Sequence, residues 1–286
     1  VTVGPVDGEG GSAPGVWTLD QAMALNKQGL WPKPILPKEL YSWGGNAYGR
    51  LGLNDTISRS SPVQVGSLAT WSQITSGSDF SVAIKTDGTM WSWGYRGAGQ
   101  LGQSNSITRS SPVQIGALTT WSKVSTGNSF CLAIKTDGTL WSWGENTRGP
   151  LGIGDILSRS SPVQVGALTT WYQVAARTSS LAIKTDGTLW AWGYNSSGEL
   201  GLNDTVSRSS PVQVGALTTW AQIAGGSACS LAVKTDGTLW AWGQNNQAQL
   251  GQNNLILRSS PVQVGALTTW SQTAGGSGCS LAIKTD

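Results

Sequence analysis

Most of this chain alternates apolar and polar residues in short bursts, each closed by turn-forming residues. From Trp220 it reads WAQIAGG, SLAVKTD, TLWAWG and, further on, PVQVG. Leu231 and Val233 alternate with Ala232 and Lys234, and Leu239 and Ala241 with Trp240 and Trp242. Period two, rich in β-branched and aromatic residues, predicts strands. Asp236-Gly237 between the second and third runs predicts a tight hairpin. Pro261 heads the fourth run and cannot donate to a ladder, so that strand should lie outermost.

The same pattern returns at a fixed spacing. The Trp of a Trp-Gly pair falls at Trp43, Trp93, Trp143, Trp192 and Trp242, at intervals of 50, 50, 49 and 50. The Pro of RSSPVQ follows the same intervals at Pro62, Pro112, Pro162, Pro211 and Pro261. One deletion accounts for the short interval, where TGNSFCLAIK becomes ARTSSLAIK. Five copies thus fill residues 41–286. Four strands per copy predict blades of a β-propeller. A stacked solenoid is the alternative, but neither end shows a polar capping repeat.

The fifth copy stops at LAIKTD, inside a hairpin turn. Lys38-Glu39-Leu40 followed by YSWG fills the slot that GTLWSWG fills elsewhere. The first two strands are therefore expected to complete the blade begun by the last two. Such closure would remove two exposed strand edges. The alternative is a ring with further copies beyond this sequence.

The segments WGGNAYGRLG from Trp43, WGYNSSGELG from Trp192, SSPVQVG and SLAIKTDG resemble the RCC1-like repeat family over roughly residues 40–286. The resemblance implies an all-β fold: a β-propeller of five RCC1-like blades of four antiparallel strands, its ring closed by the N-terminal strands. Blades of this family mix strands from adjacent repeats and usually number seven, so five is a departure. Its functions range from nucleotide exchange on a small GTPase to chromatin attachment, ultraviolet sensing and enzyme inhibition. No hairpin inserted outside the repeat period offers a wedge for exchange. Residues 1–20 carry no Lys or Arg, so there is no basic tail for chromatin. The Trp residues recur at strand positions, which predicts core packing and not light sensing.

Composition narrows the choice further. Scarce charge (12%) with 39 Gly and 16 Trp fits tightly turned β-structure better than helix or disorder. Of 18 Lys and Arg, ten are placed by the KTD and RSSP phrases of the repeat, which predicts rings of charge and no nucleic-acid binding. No apolar run is long enough to cross a membrane as a helix, so no membrane insertion is expected. The chain has no His, which removes Ser-His-Asp and Cys-His arrangements and His-ligated metals. The KTDG Asp residues should serve turns. Asp55, Asp155 and Asp204 lie in loops from which a carboxylate pair is conceivable, but nothing aims them together. Neither catalytic residues nor a metal nor a cofactor is expected, and the protein reads as non-enzymatic. Cys229 and Cys279 share the repeat position of Phe80 and Phe130, so with Cys131 they read as buried small hydrophobes.

Binding is the class that remains. RSSPVQ and ALTTW barely change among the copies, whereas variation gathers after Trp-Gly, at residues 45–50, 95–100, 145–150, 194–199 and 244–249. A second variable stretch precedes the second strand, at 76–80, 126–130, 176–179, 225–229 and 275–279. Loops on a rigid scaffold are where recognition usually lives. The candidate binding residues are Tyr48, Arg50, Tyr95, Arg96, Glu145, Arg148, Tyr194, Glu199, Gln244 and Gln249. Tyr and Arg weigh most, as favoured interface anchors.

Residues 1–37 form a separate arm. VTVGPVDGEGGSAPG has linker composition. Thr18 with Gln21 opens a short helix that Gly29 can stop, and PKPILPK should be extended. Trp17, Leu19, Met23, Leu30 and Trp31 give the arm an apolar side suited to assembly contacts. PGVWTLDQAMALNKQGLWP resembles the N-terminal segments of phage virion proteins. The expected partners are proteins of a larger assembly through the arm, and a host-surface glycan or protein through the loops of the propeller at 38–286. The expected location is a virion surface, the alternative an extracellular or cytoplasmic soluble protein; in function a free inhibitor or regulator is the alternative, and a GTPase exchange factor ranks last.

Overall fold

A computed structural model describes residues 38–67, 70–105 and 107–285. The chain divides into two compact units, Val1–Lys38 and Glu39–Asp286. The arm, with the short helix and apolar side expected in it, lies outside the described residues, so everything below concerns the second unit.

Among its described residues that unit has twenty strands of four recurring kinds. The first kind comprises β3 (Trp71–Ser76), β7 (Trp121–Thr126), β11 (Trp171–Ala176), β15 (Trp220–Gly225) and β19 (Trp270–Gly275). The second comprises β4 (Phe80–Lys85), β8 (Phe130–Lys135), β12 (Ser179–Lys184), β16 (Cys229–Lys234) and β20 (Ser280–Lys284). The third comprises β1 (Tyr41–Gly44), β5 (Met90–Gly94), β9 (Leu140–Gly144), β13 (Leu189–Gly193) and β17 (Leu239–Gly243). The fourth comprises the Pro-bearing β2 (Arg59–Gln64), β6 (Arg109–Gln114), β10 (Arg159–Gln164), β14 (Arg208–Gln213) and β18 (Arg258–Gln263). Four complete antiparallel sheets run β3-β4-β5-β6, β7-β8-β9-β10, β11-β12-β13-β14 and β15-β16-β17-β18. The Pro strand sits at the sheet edge in each, as its missing donor requires.

The KTDGT turn sets the register of every central hairpin. Asp87 Oδ1 accepts from the Thr89 amide at 2.9 Å and from its hydroxyl at 2.7 Å, and Thr89 Oγ1 accepts from Trp91 Nε1 at 2.9 Å. Gly88 adopts φ +76°, and a Cβ there would lie 2.1 Å from the Thr119 carbonyl, so only glycine fits. Strand β4 then pairs with β5 from Ile84 opposite Met90 to Phe80 opposite Gly94.

The lysine of the same phrase is not a free surface charge. Lys85 Nζ lies 3.7 Å from the Trp91 ring centroid and 5.0 Å from that of Trp71. Lys135, Lys184 and Lys234 repeat the arrangement with their own tryptophan pairs. The paired rings meet edge-on, at 6.4 Å for Trp71 and Trp91. Burial lowers the pKa of all four lysines, and the aromatic faces favour the cation that burial penalises. Four of the ten repeat-placed cations expected as surface charge are thus folded into the packing.

Seams between blades hold the unit together. The Trp93 indole donates to the Arg50 carbonyl at 2.9 Å, Trp143 to Gln100 at 3.0 Å, Trp192 to Pro150 at 2.8 Å and Trp242 to Glu199 at 2.9 Å. A Cβ on Gly52 would lie 2.8 Å from Trp93 Nε1, so this glycine lets the loop approach the next blade's indole. The apolar clusters straddle the seams: Leu132 and Leu140 of one blade pack with Trp171, Ala182 and Trp192 of the next. Burying such side chains is the main stabilising term.

The fifth blade is divided as the sequence indicates, but its halves are not joined. Strands β1-β2 and β19-β20 form two separate two-stranded sheets. The expected closure by the N-terminal strands is therefore not formed. Every joined blade has a covalent KTDG turn between its second and third strands, whereas β20 and β1 have none and rely on the curvature of the whole unit to meet. Cys279 corrects a second expectation: Cys131 and Cys229 are buried, but Cys279 is exposed because no third strand covers its sheet.

Candidate functional site

The loops after the third strands are tied down by one recurrent asparagine. Asn46 is buried; its Nδ2 donates to the Asp55 carbonyl at 3.1 Å, Asp55 Oδ1 at 3.0 Å and the Ile57 carbonyl at 3.2 Å, while its Oδ1 accepts from the Leu51 amide at 2.9 Å. Asn146 and Asn195 repeat the clasp around Asp155 and Asp204, and Asn245 does so around Asn254. The three aspartates pair with Arg59, Arg159 and Arg208 at 2.5, 2.5 and 2.6 Å. Backbone amides two residues on, then those arginines, hold the carboxyls below the usual range. Each aspartate serves its own loop, and no carboxylate pair forms among them.

One loop lacks the clasp. Arg96 stands at the repeat position of Asn46, and its Nε is buried without a hydrogen-bond partner. Gln103 takes over part of the bracing, donating to Ser92 Oγ at 2.9 Å and accepting from Arg109 Nε at 3.2 Å.

The structure separates the ten candidate residues into two groups. Tyr48 and Tyr95, both exposed, come together with ring centroids 4.6 Å apart. Arg148 lies over the Tyr194 ring at 4.4 Å, and Glu145 accepts from Thr147 beside it at 2.9 Å. Gln244 is half-buried, its amide donating to the Ala228 carbonyl at 2.8 Å. Arg50 bridges to Asp79 at 2.8 Å, so its guanidinium already has a partner in the second variable stretch.

Glu199 and Gln249 are corrections. Both side chains are buried and cannot reach a partner surface. Gln249 Oε1 accepts from the Gln247 amide at 2.9 Å and Gln100 Oε1 from that of Ala98 at 2.8 Å; Glu199 Oε2 does the same with Ser197 at 2.7 Å. Glu199 Oε1 has no partner, and burial pushes its carboxyl above the ordinary value. A carboxyl here does the work of the amide found in two other copies.

The two variable stretches converge. A cleft of about 250 Å³ is lined by Glu145, Arg148 and Tyr194 from the first and by Asn128, Arg177 and Thr178 from the second. Arg177 belongs to the copy with the deletion, which is the signal that sets this residue apart from its counterparts. Its Nε is buried without a hydrogen-bond partner. The cleft therefore combines two guanidinium groups, one carboxylate and an aromatic face, a set suited to polar and aromatic recognition. Among the described residues no group of His, Cys, Asp or Glu could hold a metal ion. Asn195-Ser196-Ser197 matches a glycosylation sequon, but the Asn195 amide nitrogen is buried in the clasp and so closed to modification in this fold.

Four-stranded antiparallel blades packed seam to seam define the molecule as a β-propeller protein. The profile described as "Regulator of chromosome condensation (RCC1) repeat" matches residues 39–84, 87–134, 137–178, 186–233 and 236–283. The chain belongs to this repeat family. Four of the five matched spans supply the last two strands of one blade and the first two of its neighbour, and 137–178 does so up to the start of β12, so blades mix adjacent repeats as expected. No curated protein sequence matches the chain. Among solved structures, human WBSCR16 is similar with a TM-score of 0.76 at 22% identity, over 87% of this chain and 68% of that one. Prp20p from Saccharomyces cerevisiae, described with its binding to Gsp1p and histones, gives 0.74 at 20% identity, over 87% and 65%. Yeast RCC1 (Prp20) bound to Kap60 gives 0.56 at 18% identity, over 87% and 77%. The chain thus spans about two thirds of the length of the first two, and the likeness concerns the fold.

Proposed function

We propose that this chain is a non-enzymatic binding protein whose loop face engages a partner, while residues 1–37 anchor it in a larger assembly such as a phage particle. One observation carries the binding role: the segments that vary among the copies meet on one face and present Tyr48, Tyr95, Arg148 and Tyr194, while the near-constant segments build the sheets. Protein partners suit this reading, because similarly folded propellers are described with Gsp1p, histones and Kap60. The anchoring role rests on the arm sequence. A free inhibitor or regulator uses the same face without the anchor. Exchange on a GTPase ranks last, since every described strand belongs to the repeat and none forms an added wedge.

Trypsin digestion of native source material and of the isolated chain tests the anchor. Protection of Lys27 in native material with cleavage in the isolated chain supports assembly; equal cleavage in both moves the reading to the free binding module. Captured material tests the face. Arg148→Ala combined with Tyr95→Ala should weaken partner retention by about 30-fold or more, the scale of a two-residue hot spot. Unchanged retention with unchanged melting would remove this face from recognition.

A further inference from the structure

One hairpin departs from its counterparts by two linked changes. The residue directly after the first strand is glycine in four copies, at Gly77, Gly127, Gly226 and Gly276, and Arg177 in the third. A Cβ on Gly77 or Gly127 would run into the ring of Phe80 or Phe130, and one on Gly226 would lie 2.5 Å from Cys229 Sγ. The neighbour that forbids a side chain is thus the first residue of the second strand. In the third copy that residue is Ser179, which stands opposite Gly193 as Phe130 stands opposite Gly144. The turn is also shorter there, with only Arg177 and Thr178 between β11 and β12. A small side chain and a shorter turn admit a side chain at 177, and the one admitted is a guanidinium.

The first copy shows what such a cation pairs with. Asp79, the residue before its second strand, binds Arg50 at 2.8 Å, in the loops whose Tyr48 and Tyr95 rings meet. The cleft around Arg148 follows the same plan with other residues. Arg148 stands at the repeat position of Tyr48, Tyr194 at that of Tyr95 and Pro150 at that of Arg50. The cations are therefore Arg148, which lies over Tyr194, and Arg177. The residue before the second strand is now the uncharged Thr178, whose hydroxyl donates to the Ser227 carbonyl. Among the described residues neither Arg148 nor Arg177 takes part in an ion pair, and Arg177 Nε is buried without a hydrogen-bond partner. Glu145 lines the cleft, but its carboxylate accepts from Thr147.

We infer that this cleft receives a side-chain carboxylate from an acidic peptide segment of the partner, gripped by Arg148 and Arg177. The planar guanidinium fork matches a carboxylate, and the incoming group supplies the acceptor that Arg177 Nε lacks. A space of about 250 Å³ suits one side-chain head group. A nucleic acid needs a track of cations beyond one cleft. Here four lysines are spent on tryptophan rings and three arginines on their own aspartates. Glu145 adds a further bias, since it repels a doubly charged phosphate more than a singly charged carboxylate. The inference deepens the loop-face reading and rests on it.

Nitrogen-15 NMR of the full-length chain tests it, with the side-chain Nε–H signals of Arg148 and Arg177 as the readout. The probes are an N-acetylated, C-amidated Gly-Glu-Gly peptide, its Gly-Gln-Gly counterpart and inorganic phosphate. The Glu peptide should shift both signals saturably, with a Kd on the order of 1 mM for one charge-assisted fork. The Gln peptide should bind about tenfold more weakly or less. Arg177→Gly restores the residue of the other four copies, and Arg177→Lys keeps the charge without the fork; each should weaken the Glu peptide about tenfold while the backbone spectrum holds. Glu145→Gln should strengthen it about threefold by removing a competing charge. Equal binding of the Glu and Gln peptides, tighter binding of phosphate, full binding by Arg177→Gly, or no saturable shift would each overturn the inference. These probes need no partner, so their failure removes the carboxylate assignment alone, whereas unchanged retention in the Arg148 and Tyr95 double variant removes the face itself.

Discussion

Interior seams and terminal edges are made of the same residues and end in opposite states. At the seam between the second and third complete blades, Trp192 is buried, donates to the Pro150 carbonyl and packs edge-on against Trp171. At the N-terminal edge, Trp43 holds the same repeat position before its glycine and stands in solvent. The repeat specifies the side chain, but only the neighbouring blade makes it core. Stability in such an array is a sum of unit and interface contributions, so an end copy lacks one interface whatever its sequence.

The largest test of the contrast is a matched pair. Trp192→Ala should cost about 3–5 kcal/mol in urea unfolding, the range for emptying a buried aromatic site. Trp43→Ala in dilute protein should stay within about 0.5 kcal/mol, as an exposed position does. Similar costs for the two would erase the distinction between seam and edge.

Next comes the clasp. Asn195→Ala takes the shared donor from two backbone carbonyls and one carboxylate and the acceptor from the buried Leu200 amide, and should destabilise by about 2–3 kcal/mol. Arg96→Ala, at the one repeat position without the clasp, should change stability by less than about 0.5 kcal/mol. If binding falls while melting holds, Arg96 belongs to the loop face.

The smallest effect has the opposite sign. Glu199→Gln should stabilise the protein by about 1 kcal/mol at neutral pH, because an amide satisfies the site without an ionised, unpartnered oxygen. The gain should vanish in acid. The folded carboxyl has a raised pKa, so its contribution is full below the ordinary carboxylate value and is lost as pH rises through the folded one. Asp87, Asp137, Asp186 and Asp236 run the other way: hydrogen bonds from the threonine two residues on lower them. Their contribution is present above the ordinary aspartate value and is lost as pH falls through the lowered one.

The scaffold was legible because its signals are local and repeated five times. Pro at the head of a run fixes the edge strand, and Asp-Gly fixes the hairpin, wherever they occur. The lysine of KTD was misread as surface charge, since a lysine beside a turn is usually solvated; its stacking depends on two tryptophans from different strands. Burial of Glu199 had a signal in Gln100 and Gln249 at the same position, two amides marking an amide site. Closure of the ring had none. It depends on the angle between blades, a property of packing summed over the whole unit that no single copy encodes.

Hydrogen exchange of the dilute isolated chain, followed by mass spectrometry, tests the seam-and-edge contrast most directly. The expected result is slow exchange in β8, β12 and β16, with β20 and β1 exchanging orders of magnitude faster. Equal protection of β1, β20 and the interior strands in dilute monomer would contradict it, because one chain would then have closed its own fifth blade.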